Sequence, residues 1–130
     1  MGPVISLAKW QDQTGPRSVL YQGYLSEMFV PYMDPEFGWY SRTFFDSGEY
    51  GMGLVASRLS HGVDCPATAT FLPVTLNTST GEPMTTPDAL CLFERDHGEP
   101  IWRHDAVGRR DVELVVRMVA QVGNYDYILD

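Results

Sequence analysis

Five valines stand at 112, 115, 116, 119 and 122 of the run VELVVRMVAQV. The stretch from Val112 to Gly123 is long enough for a helix. β-Branched side chains, however, lose rotamer freedom on a helix and pack well on a pleated surface. The expectation is a strand, a turn at Gly123-Asn124, and a second strand through Tyr125 and Tyr127. A chain built around such a segment is all-β.

The remaining segments agree. SVLYQGYLSEMFVPY, residues 18 to 32, reads as two strands broken near Ser26 and closed by Pro31. GWYSRTFF, 38 to 45, reads as a strand between the Asp34-Pro35 turn signal and an Asp46-Ser47-Gly48 turn. GMGLVASRL, 51 to 59, and ATATFLPVTLNT, 67 to 78, are further strands. In the latter, Thr68, Thr70, Leu72 and Val74 share one face by period-two spacing, and Pro73 confines the strand to an edge or a bulge. ALCLFERD, 89 to 96, and IWRHDA, 101 to 106, flank a His97-Gly98 turn as a hairpin would. No repeat or linker interrupts them, so the picture is one sandwich-like piece.

Seventeen acids against nine bases, only one of them a lysine, give a net charge of −8. Nucleic-acid affinity comes largely from Lys and Arg neutralising phosphates, so polyanions are poor partners. A negative field favours cationic ligands such as amines, and it also serves solubility. No apolar run approaches the roughly 20 residues of a membrane span. Met1-Gly2-Pro3 leads into neither a basic n-region nor an apolar h-region.

His61, His97 and His104 form no His-x-His or His-x-x-x-His pair. No nucleophile elbow, phosphate loop or Gly-x-Gly-x-x-Gly is present. Cys65 and Cys91 lie outside any Cys-x-x-Cys spacing, leaving a disulfide or two buried thiols as equal alternatives. Asp46, after Phe44 and Phe45, is either a turn former or a desolvated carboxylate fit for general-base work. Tyr125 and Tyr127, and Tyr32 after Pro31, read as packing residues by spacing alone.

Three stretches together resemble the copper amine oxidases, whose redox cofactor is made from one of their own tyrosines. They are EMFVPYMDPEFGWYSRTFFDSGEYGMG (27 to 53), CLFERDHGEPIWRH (91 to 104), and Asn124-Tyr125-Asp126-Tyr127 preceded by LVV (114 to 116). The resemblance runs from about Arg17 onward, and one departure is Gln121, where the family usually has Ser or Thr.

The resemblance implies a fold, a chemistry and a site. The fold would be an incomplete piece of the family's all-β supersandwich, residues 1 to 130 forming the N-terminal part of the catalytic domain and ending before the copper-ligand histidines. Tyr125 would be the topaquinone precursor that forms a Schiff base with substrate, and Asp46 the catalytic proton acceptor. Tyr32 and Asn124 would bind the cofactor, Phe44 would sit at the gate, and Cys65 and Cys91 would be disulfide-bonded. The reaction would be oxidative deamination of a primary amine with O2 to aldehyde, ammonia and hydrogen peroxide. Copper(II) would be held by residues outside this chain, which alone would be inactive. The full-length protein would be a homodimer using neither nucleic acid nor membrane. The alternative is a non-enzymatic β-sandwich interaction module derived from the oxidase. Compartment stays open among peroxisomal, cytoplasmic and secreted.

Overall fold

A computed structural model describes residues 2–32, 35, 38 and 42–130, with backbone alone at 99 and 100. The chain divides into two compact units, Met1–Val55 and Ala56–Asp130. Strands dominate both, as the valine run and the alternating segments imply.

The first unit opens with an antiparallel hairpin, β1 (Val4–Asp12) and β2 (Gly15–Tyr24), with a bulge between Ala8 and Lys9. The Asp12 carboxylate closes the two-residue loop by accepting the Thr14 backbone N–H at 2.7 Å and its hydroxyl at 2.6 Å. β1 lies upstream of the strands expected from the sequence. The break near Ser26 then appears as Leu25–Met28, after which β3 (Phe29–Pro31) pairs antiparallel with β4 (Thr43–Phe45). The Asp34 turn signal and positions 39 to 41 of the expected strand lie outside the described residues. Asp46-Ser47-Gly48 is not a simple turn: it opens the short helix α1 (Asp46–Tyr50).

The second unit is a four-stranded sheet in the order β5-β6-β7-β8: β5 (Thr70–Asn77), β6 (Pro83–His104), β7 (Val107–Val122) and β8 (Tyr125–Leu129). All its neighbours are antiparallel. Strand wins over helix in the valine run because β7 is central and its inner half is covered on both faces. Val115 is buried on one face, where Val119 also packs against Leu59, Cys65 and Cys91, and Met118, Ala120 and Val122 are buried on the other. A strand buried on both sides needs no polar alternation, hence the near-continuous apolar sequence. Gly123, at φ 61°, and Asn124 form the two-residue turn into β8, as expected.

Three local expectations are corrected. Residues 89 to 96 and 101 to 104 belong to one strand, since Asp96 pairs with Val112 and Ile101 with Arg110; His97-Gly98 is a bulge, and the chain reverses at Asp105-Ala106. Pairing along β7 continues past the glycine, so a turn-forming dipeptide is absorbed as extra length on one strand. Residues 51 to 59 form turns rather than a strand: Gly51 takes φ 70° and its carbonyl accepts the Leu54 N–H at 2.7 Å. Met52 and Leu59 are buried all the same. Thr68 lies in a turn before β5, and Thr70, Leu72 and Val74 do not share one face, because Pro73, on edge strand β5 as expected, sits at a register shift between Leu72 and Val74. The bulge flips the inward face, so Val74 joins Phe71 and Leu76 as partly buried while Leu72 is exposed.

Cys65 and Cys91 form a disulfide. With Leu59 they make a buried cluster against which Ala69, Phe71, Phe93 and Val119 pack. This anchors the loop before β5 to the middle of β6.

Candidate active site

The candidate residues fall into two groups, one in each unit. In the first unit the β3–β4 ladder assembles Tyr32, Phe44 and Asp46. Val30 pairs with Phe44, and the Tyr32 N–H donates to the Arg42 carbonyl at 2.9 Å, extending the ladder one pair beyond Pro31–Thr43. Tyr32 and Phe44 thus lie on the same face, and their rings meet edge to face at a centroid distance of 5.5 Å. On the opposite face Phe29 and Phe45 pack at 5.4 Å. The aromatic run flanking Asp46 is therefore a pair of cross-strand contacts.

Asp46 stands where β4 becomes α1. Its N–H donates to the Met28 carbonyl at 2.9 Å, one register step beyond the Phe29–Phe45 pair. It is only 6% exposed, and Ser47 beside it is also buried. Burying a carboxylate is costly in its charged form, so a buried Asp needs an adapted environment and is the kind of group used for proton transfer. The sequence left Asp46 as a turn former or a desolvated carboxylate; the structure buries it at the start of α1 instead of in a simple turn.

One neighbour escaped the sequence reading. Glu27 Oε1 accepts the backbone N–H groups of Met28 at 2.8 Å, Ser47 at 2.9 Å and Gly48 at 3.2 Å. Those amides hold its carboxyl below the usual glutamate range, the Met28 bond contributing most. Glu49 Oε1 accepts the Phe45 N–H at 3.3 Å. Four successive amides, 45 to 48, are thus occupied. Glu27 was legible only as a member of the family-like stretch, because an acid before a strand carries no local mark of contacts 20 residues away.

In the second unit, Asn124 and Tyr125 sit at the β7–β8 turn. Asn124 is an exposed turn residue; Tyr125 begins β8 opposite buried Val122 and is 56% exposed. Tyr127 lies two residues on, opposite buried Ala120. The hairpin is held at its open end by Arg117, which contacts Asp130 and, through Nη1, the Asp64 carbonyl at 2.8 Å.

Among the described residues no group of three or more His, Cys, Asp or Glu side chains is placed to hold a metal ion. His61 stacks on Phe71, His97 lies 3.8 Å from Asp111, and His104 lies 3.4 Å from Asp105, so the imidazoles are dispersed. The residues described here do not fit a copper site.

Comparison with known proteins assigns the family. The enzyme-domain model of the copper amine oxidases matches residues 1–130. Primary amine oxidase 2 of Arabidopsis thaliana is 48% identical over 137 residues, covering 99% of this chain and 21% of the relative. The primary amine oxidase of Klebsiella aerogenes is 44% identical over 135 residues, covering 100% of this chain and 18% of the relative. Among solved structures, a copper-containing benzylamine oxidase from Hansenula polymorpha superposes with a TM-score of 0.71 at 34% identity over 86% of this chain and 18% of that one. An Aspergillus nidulans amine oxidase gives 0.74 at 34% identity, covering 86% of this chain and 15% of that one. The chain spans about a fifth of the length of the curated relatives it matches. It belongs to the copper amine oxidase family, as a partial piece of that family's all-β enzyme domain.

Proposed function

We propose that this chain is the N-terminal part of the catalytic domain of a copper-dependent primary amine oxidase, and that it carries the base and the quinone-forming tyrosine of that enzyme. The overall reaction converts a primary amine, O2 and water into an aldehyde, ammonia and hydrogen peroxide. The observation that carries the reading is the buried Asp46 carboxylate at the end of an aromatic ladder, in a chain of this family.

Tyr125 is the residue to be oxidised to topaquinone, which supplies an electrophilic carbonyl and an acceptor for two electrons. Asp46 accepts the proton from the carbon bearing the amine, a task suited to a carboxylate kept from bulk water. Tyr32, through its hydroxyl, and Asn124, adjacent to Tyr125 in sequence, would hold the quinone. Phe44, packed edge-on against Tyr32, covers the approach to it. Copper would be held by ligands other than the described residues.

The test uses the full-length protein. Asp46→Asn removes amine turnover while leaving the quinone titratable with phenylhydrazine, and Tyr125→Phe removes both. Turnover retained by Asp46→Asn would strip Asp46 of its role.

A further inference from the structure

We propose that Glu27 is a positioning residue for Asp46: its carboxylate ties down the two backbone amides that follow Asp46, and with the Met28 carbonyl fixes how that side chain leaves the backbone. The assignment rests on reading Asp46 as the base.

Three hydrogen bonds from one dipeptide grip three consecutive residues. The Met28 carbonyl takes the Asp46 N–H at 2.9 Å, and Glu27 Oε1 takes those of Ser47 at 2.9 Å and Gly48 at 3.2 Å. The first amides of a helix lack partners within it, and α1 is too short to hold its own direction. An acceptor from outside the helix therefore sets where α1 starts. Glu27 is itself held by the Met28 N–H at 2.8 Å, so the clamp is closed on the segment that leads through β3 to Tyr32. Gly48 completes the fit. A Cβ there would stand 2.7 Å from Glu27 Oε2, the end of a flexible side chain, so alanine at this position would make the carboxylate shift from where it lies across the amides. Proton transfer needs the base within hydrogen-bond reach, and a displacement of about 1 Å costs up to about a hundredfold in rate.

Glu27→Gln and Gly48→Ala are compared with wild type and Asp46→Asn in the full-length, metal-loaded enzyme, using an amine with and without deuterium at the reacting carbon. Gly48→Ala leaves Glu27 in the sequence but displaces its carboxylate. On helix propensity alone it would stabilise the protein, so a loss of rate runs against a purely structural effect. The expected result is a fall in kcat of roughly ten- to a hundredfold in Gly48→Ala and a smaller fall in Glu27→Gln, which keeps an acceptor oxygen. KM stays within about twofold of wild type and the isotope effect on kcat rises, because placing the base changes the C–H step and not amine binding.

Wild-type C–H cleavage in both variants beside an inert Asp46→Asn would overturn the positioning role and leave the base assignment standing. A loss confined to KM, or failure of both variants to fold, would also overturn it by assigning the contacts to binding or to the fold alone. An active Asp46→Asn would instead remove the reading on which the role rests.

Discussion

Arg117 and Asp130 meet one register step beyond the Met118–Leu129 pair, with Nε 2.6 Å from Oδ1 and Nη2 2.7 Å from Oδ2. The same guanidinium lies 5.3 Å from the Phe93 ring and reaches the Asp64 carbonyl beside Cys65. The open end of the hairpin that carries Tyr125 is thereby tied to the disulfide-anchored loop.

Arg117's hydrogen bonds hold the Asp130 carboxyl below the usual aspartate range, with the charges of Arg117 and Arg95 adding to the effect. A depressed native value means that the stabilisation is fully present above the unfolded value, near pH 4 by the reference scale, and is lost as pH falls through the native value. Asp130→Asn is expected to cost about 1 kcal/mol at pH 7, modest because both side chains are partly exposed, and the difference from wild type shrinks as pH falls through the native value. Urea unfolding at pH 7 and through the acid range checks this.

The Cys65–Cys91 bridge closes a loop of sequence separation 26. Loop-closure entropy puts its stabilisation at roughly 3–4 kcal/mol. The double variant Cys65→Ser/Cys91→Ser should therefore unfold at a lower urea midpoint than the parent, with the difference abolished by reducing the parent.

Gly123 turns the chain at φ 61° directly before Asn124-Tyr125. Alanine in that left-handed conformation costs about 1–2 kcal/mol. Gly123→Ala should lower the melting temperature and, in the full-length protein, slow the oxidation of Tyr125 followed by quinone absorbance. Gly123→Asn, which tolerates positive φ better, should recover part of both.

Met118 is fully buried on β7, on the face shared with Ala120 and Val122. Met118→Ala leaves a cavity between β7 and what covers it and should cost roughly 2–5 kcal/mol. Met118→Leu conserves volume and should cost under about 1.5 kcal/mol. Equilibrium unfolding of the pair separates loss of packing from loss of strand propensity.

The described residues assemble no set of three metal-binding side chains. The 130-residue chain incubated with Cu(II) and O2 is expected to develop neither quinone absorbance nor quinone redox staining. Either signal would show that Tyr125 can be converted without further ligands.

Local chemistry alone determined the valine strand, the Gly123-Asn124 turn, the break after β2 and the edge position of Pro73, because rotamer freedom, turn geometry and a missing N–H act within a few residues. The family-like stretches marked Asp46, Tyr125, Tyr32, Asn124, Phe44 and the two cysteines as a set. Tertiary structure decided the rest: that His97-Gly98 bulges instead of turning, that residues 51 to 59 bury Met52 and Leu59 without pairing as a strand, and that Glu27 closes on the amides after Asp46. Each of these depends on a hydrogen-bonding partner or a covering surface distant in sequence. Whether a bulge is absorbed or an amide is capped depends on where that partner lies, a relation that leaves no trace in residue type or spacing.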